Sequence, residues 1–190
     1  MLVRLLAVIA AVLLLSTPAV HPIDARADVE QAKATGGLVA LYPRDADARV
    51  LAVPGGALPG ELHITLVNLG QDVRGMSDVE LRHRLDAVAA GHPGPVEAQV
   101  FGHALLNPHD PERRPSTVYI VGDSADLVSV RQEILSFSQE LFEPLPQAEP
   151  WLAHITAGYS ALESELTYTG PVAFDRIGLT WAGSSTYWQL

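Results

Sequence analysis

A chain of 190 residues can bury one good core but is short for two, and an apolar fraction of 48% supports a folded globule. A formal charge of −10 speaks against an extended nucleic-acid track, because affinity for long strands comes from neutralising many phosphates with Lys and Arg. The lack of cysteine removes thiol nucleophiles, Cys-based zinc sites, disulfides and a lipoprotein anchor.

Residues 1–27 read as an export signal: Arg4, an apolar run over 5–15, then a polar segment ending Ala25-Arg26-Ala27, whose small residues fit a leader-peptidase site. The run is short for a spanning helix, which needs about twenty residues. The expectation is a cleaved signal and a secreted or periplasmic protein, with an uncleaved membrane anchor as the alternative. Residues 28–36 are expected to form an exposed lead-in, and 37–190 a single domain.

Within that domain the apolar run 38–42, stopped by Pro43, predicts a buried strand. Residues 44–60, rich in Asp, Pro and Gly, predict a loop or short helix, and 62–69 a strand that Gly70 ends. A helix is expected over 77–90, with Ser77 as cap, Glu80 completing a capping box, and Val79, Leu81, Leu85 and Val88 mostly on one face. His83, between Arg82 and Arg84 along that helix, reads as a solvated surface residue. A strand over 96–106 and a loop over 107–116, carrying Pro108, Pro111 and Pro115, come next. After a strand at 117–121, the stripe Leu127, Val130, Ile134, Phe137, Leu141 and Phe142 predicts a helix capped by Ser124 or Asp126. Strands are expected over 152–159, 174–181 and 186–190, the last two separated by a turn at 183–185.

Two of these strands carry the same tripeptide, His63-Ile64-Thr65 and His154-Ile155-Thr156. In an extended strand side chains alternate, so each His and Thr share one face while the central Ile turns to the core. A chain with seven His yields fewer than one His-x-Thr triplet by chance, so one match would be weak but two in matching strands carry weight. If the strands lie side by side or face each other across a groove, two imidazoles and two hydroxyls converge, which suits acid and base work on a phosphate. The bland alternative makes each His a hydrogen-bonded core residue and each Thr an ordinary strand former. The element order repeats in outline between the halves, so the expected architecture is α+β and bilobal: two mostly antiparallel sheets, each with one motif and an outer helix, around a central cleft.

From these residues the chain resembles the 2H phosphoesterase superfamily, which includes RNA 2′,3′-cyclic phosphodiesterases and the 2′-5′ RNA ligase-like proteins. The resemblance covers about residues 37–190 and rests on His63-Ile64-Thr65-Leu66 and His154-Ile155-Thr156-Ala157, supported by Leu69-Gly70, Asn107-Pro108 and Trp151. It departs from the family at Ala153, where Pro is frequent, and at Ala157, where a larger apolar residue is usual. The resemblance implies a bilobal fold, a metal- and cofactor-independent mechanism, and a small phosphodiester or RNA end as substrate. The residues point to the same chemistry, since His titrates near neutrality and can serve as either acid or base. His63 and His154 are therefore the expected catalytic pair, and Thr65 and Thr156 the expected substrate-binding hydroxyls, in a chain expected to be monomeric.

Two other readings are open. A secreted module could bind a phosphorylated or cyclic ligand through the same four residues without turnover. A metal site of His63, His154 and a carboxylate is weaker, because spacings such as His-Glu-x-x-His are missing. His103 and His109-Asp110 read as ordinary strand and turn residues. Tyr42, Phe101, Tyr159 and Trp181 are the aromatic candidates for stacking on a base, and each is expected to serve the core instead.

Overall fold

Each alternating apolar run becomes a strand in the computed structural model, which describes residues 34–110, 114–147, 149–159 and 165–190. The order is β1 (Gly37–Pro43), α1 (Asp45–Leu51), a 3₁₀ turn (Pro59–Glu61), β2 (Ile64–Gly70), α2 (Val79–Gly91), β3 (Val96–Leu106), β4 (Ser116–Gly122), α3 (Ala125–Leu141), β5 (His154–Gly158), β6 (Gly170–Trp181) and β7 (Ser184–Gln189). The expected signal, residues 1–27, lies outside the described residues, as does most of the lead-in.

All strand pairs are antiparallel, and they run β1-β2-β5-β4-β3-β6-β7 with β1 also paired to β6, so six strands close into a ring. The two expected sheets are its two arcs, β2-β1-β6-β7 and β5-β4-β3. They meet at two seams. One is long, where the start of β6 pairs β3 from Val96↔Phe174 to Val100↔Gly170. The other is a single pair, Ile64↔Ile155, between the two motif strands.

The core lies on the face opposite the motifs' His and Thr. Ile64, Leu66, Ile155 and Tyr119 fill it from the strands, with Leu127, Val130, Ile134 and Phe137 of α3 and Leu81, Leu85 and Val88 of α2. These helical residues recur three or four apart, which puts them on one stripe. Burying each large aliphatic side chain contributes about 1.5–3 kcal/mol. The Tyr119 hydroxyl donates to the Leu51 carbonyl at 3.0 Å, pinning α1 beneath β4.

Several boundaries differ from the sequence reading for identifiable reasons. Ser124 does cap α3, accepting from the Leu127 N–H at 3.2 Å. Ser77 does not cap α2: Asp78 stands at the N-cap, and its carboxylate is drawn instead to Arg82 at 2.6 Å. Val79, the first residue of that helix, consequently points to solvent. The lead-in is not exposed throughout. Thr35 and Gly36 are buried, with Thr35 donating its hydroxyl to the Gln71 carbonyl and accepting through its own carbonyl from the Val73 N–H, both at 2.8 Å.

The last hairpin turns one residue earlier than expected. Trp181 pairs with Ser184 across a two-residue turn, Ala182 and Gly183, whose φ angles are 46° and 84°. Such a turn needs left-handed backbone at both positions, because only that twist matches the flanking strands. Gly183 adopts it without a Cβ penalty. Gly183→Ala is expected to cost about 1 kcal/mol, seen as a lower urea midpoint with an unchanged slope.

Candidate active site

The single seam between β2 and β5 places the motifs. With Ile64 opposite Ile155, antiparallel geometry brings Thr65 beside His154 and His63 beside Thr156, all on the face away from the core. Each histidine thus faces the other motif's threonine. The strands lie side by side, one of the two arrangements the sequence allowed.

Both imidazoles are held the same way. His63 Nδ1 lies 2.6 Å from the Glu61 carbonyl, and His154 Nδ1 lies 2.8 Å from the Leu152 carbonyl. A carbonyl only accepts, so Nδ1 carries the proton in each ring and the acceptor lone pair of the neutral ring falls on Nε2. In both cases the acceptor is two residues upstream. The short bend leading into each motif strand therefore sets the tautomer locally.

A cleft of about 570 Å³ opens on this face. Its wall includes His63, Thr65 and Thr156 from the motifs, Leu38 and Tyr42 from β1, Thr180 from β6, and Ser185 and Tyr187 from β7. His154 is half-buried next to it in register but is not part of that wall. Of the four expected site residues, three therefore line one cleft and the fourth flanks it.

The His63 ring rests against Tyr42, with centroids 5.3 Å apart, and Tyr42 meets Tyr187 edge-on at 5.2 Å. Burial, then the neighbouring Tyr187, pushes the Tyr42 hydroxyl up to about 12, so it stays neutral and hydrogen-bonds with Thr180 and Tyr187. The ring has room because β6 carries Gly178 beneath it: a Cβ there would come within 2.4 Å of Tyr42 Cε2.

The aromatic expectations are corrected in part. Trp181 is buried against Phe142, as a core residue. Tyr42 is buried yet edges onto the cleft, Tyr159 is half-exposed in its wall, and Phe101 is exposed and away from it. Tyr187, Thr180 and Leu145 were not singled out from the sequence. They come from β7, β6 and the loop after α3; Thr180 and Tyr187 are more than twenty residues from either motif, while Leu145 lies nine residues before His154, and the ring topology brings them together.

Among the described residues, the other histidines have structural or surface places. His103 Nε2 donates to the Tyr168 carbonyl at 2.8 Å, and His83 and His109 are exposed. Among the described residues, no three His, Asp or Glu side chains gather as a metal-binding group.

The same fold recurs in known structures. LigT of E. coli, solved with 3′-AMP, superposes with a TM-score of 0.53 at 14% identity, over 82% of this chain and 95% of that one. A structure described only as a phosphoesterase gives the same values. The protein TT0787 of Thermus thermophilus gives 0.50 at 15% identity, over 82% and 94%. The fold is that of the 2H phosphoesterases. No protein-family model matches the sequence, and no curated protein does. At such low identity the 2H phosphoesterase fold is what is shared.

Because the raised Tyr42 value holds the hydroxyl neutral in the folded state, the sign of its linkage is fixed. Its contribution is fully present below the ordinary tyrosine value of 10.0 and is lost as pH rises towards about 12. Tyr42→Phe is expected to flatten the fall in stability over that window, measured by urea unfolding at stepped pH. Gly178→Ala, which forces the ring aside, is expected to cost about 1–3 kcal/mol at neutral pH.

Proposed function

We propose that this protein is a metal-independent phosphodiesterase that opens a cyclic phosphodiester, of the 2′,3′-cyclic nucleotide or RNA-end type, by two-histidine acid and base catalysis. The observation that carries the reading is the reciprocal pairing of the two His-x-Thr motifs across one backbone seam. One imidazole Nε2 takes a proton from water as its oxygen bonds to phosphorus. The P–O bond to the ribose oxygen breaks, and the second Nε2, protonated beforehand, donates to that leaving oxygen. The pair then exchanges its protons with solvent to reset. Thr65 and Thr156 donate hydroxyl hydrogen bonds to the non-bridging oxygens, bonds that strengthen as charge builds in the transition state. Which histidine acts as acid follows from which ester oxygen leaves.

LigT in its solved complex binds 3′-AMP, a nucleotide with one phosphate on the ribose. That is the kind of product this reaction releases, which supports the substrate class proposed here. We also propose that residues 1–27 direct export, so that the enzyme works outside the cytoplasm. Intact mass of the exported protein tests this: a chain beginning near residue 28 is expected, and one retaining Met1 would mark an anchor.

A second reading, a secreted binding module without turnover, draws on one observation: the cleft wall takes in His63, Thr65 and Thr156 but not His154. One experiment separates the two. Turnover of 2′,3′-cyclic nucleotides is measured in excess chelator for the parent, His63→Ala and His154→Ala. The phosphodiesterase reading expects a loss of about 10²–10⁴-fold in each variant and a bell-shaped pH profile in the parent. Tight binding by a folded parent with no turnover would establish the binding module.

A further inference from the structure

The segment between α3 and β5 is tied to β2 by one side chain. Among the described residues, β2 is paired on its β5 side at Ile64 alone, and further along at Asn68 the backbone N–H and carbonyl face that edge with no described strand beside them. Gln147 fills the place of one. Its Oε1 accepts from the Asn68 N–H at 3.1 Å, and its Nε2 donates to the Asn68 carbonyl at 3.1 Å. Nε2 also donates to the carbonyl of Leu145. A primary amide offers two N–H donors and one acceptor oxygen. All are matched here, in one orientation.

This ties Leu145 to the cleft. It is partly exposed and lines the same wall as Tyr159 and Tyr187, both half-exposed. Three apolar or aromatic groups thus face one cavity beside the threonine hydroxyls. Concave sites of this kind take an uncharged body against their apolar wall while a few polar groups fix its orientation.

We propose that Leu145 is a specificity-determining residue that contacts a flat, uncharged ring carried by the substrate, and that Gln147 is the positioning residue that holds it there. The inference rests on the phosphodiesterase reading above and assigns these two residues to the part of the substrate beyond the cyclic phosphate. Leu145→Ala removes the contact. Gln147→Glu keeps the shape of the side chain but loses both donor protons and sets a carboxylate against two carbonyl oxygens.

The test is steady-state turnover of 2′,3′-cyclic AMP and of glycerol 1,2-cyclic phosphate by the parent and both variants, each shown to be folded by its thermal melt. For cyclic AMP, KM is expected to rise about tenfold in both variants, the scale for losing part of an apolar contact, with kcat within about twofold. For the base-free substrate, KM is expected to stay within about twofold. A KM that rises equally for both substrates, or for neither, overturns the inference. A parent that turns over neither substrate overturns the phosphodiesterase reading instead. Calorimetric binding of adenosine 3′-monophosphate and of inorganic phosphate then decides on Leu145. Weaker nucleotide but unchanged phosphate binding in Leu145→Ala upholds its role, whereas equal effects or no binding of either probe overturn it.

Discussion

Ile64 of β2 and Ile155 of β5 meet as a single antiparallel pair, and the geometry of the cleft depends on it. Both side chains are fully buried, so the pair is held from the core side by hydrophobic contact rather than by a long ladder of hydrogen bonds. A slip of one residue would turn every side chain of a motif to the opposite face. It would drive an imidazole into the apolar core and bring an isoleucine out to the cleft, so burial of the two isoleucines enforces the register of the two histidines. Core packing and site geometry are here the same constraint.

The approach to each motif strand adds a second level of order. The carbonyls of Glu61 and Leu152 reach back to the Nδ1 atoms of His63 and His154, which makes the ring orientation a local property of each bend. Different surroundings hold the two bends. The first follows a 3₁₀ turn, where the Glu61 carboxylate accepts from the Leu58 N–H at 3.3 Å. The second follows Trp151, whose ring lies 4.4 Å from the buried Arg131 guanidinium of α3. Burial lowers the Arg131 pKa, while the carboxylates of Glu149 and Asp123 offset part of that cost. The two halves reach one local geometry by unrelated packing.

Much of this was legible in the sequence because it is local. Period-two runs marked the strands, the three- and four-residue spacing of Leu127, Val130, Ile134 and Phe137 marked α3, and the repeated His-x-Thr marked the face that opens on the cleft. What escaped is of two kinds, a choice between adjacent residues and contacts between distant segments. Ser77 and Asp78 both have N-cap chemistry, and the choice between them turned on where α2 begins and on Arg82. Leu145 and Tyr187 carry no signal in their own segments, since an exposed Leu or Tyr in a loop or on an edge strand is ordinary. Only closure of the ring, through β6 pairing with β1 and β3, puts them in one cavity.

The charge distribution shows how such a cavity could hold an anion in so acidic a chain. Arg44, Arg74, Arg82, Arg84 and Arg176 each lie within hydrogen-bonding reach of a carboxylate, and no Arg or Lys is among the described residues of the cleft wall. Its polar atoms are mainly hydroxyls and amides: Thr65, Thr156, Thr180, Ser185, Asn68 and Gln71. A hydroxyl rotates to donate wherever charge develops, and a set of such dipoles fixed on strands needs little reorganisation when the charge moves. A cation fixed in the wall would hold a doubly charged phosphate more tightly than a singly charged one. On the phosphodiesterase reading, a wall with no Arg or Lys among its described residues does not hold back the doubly charged product of ring opening.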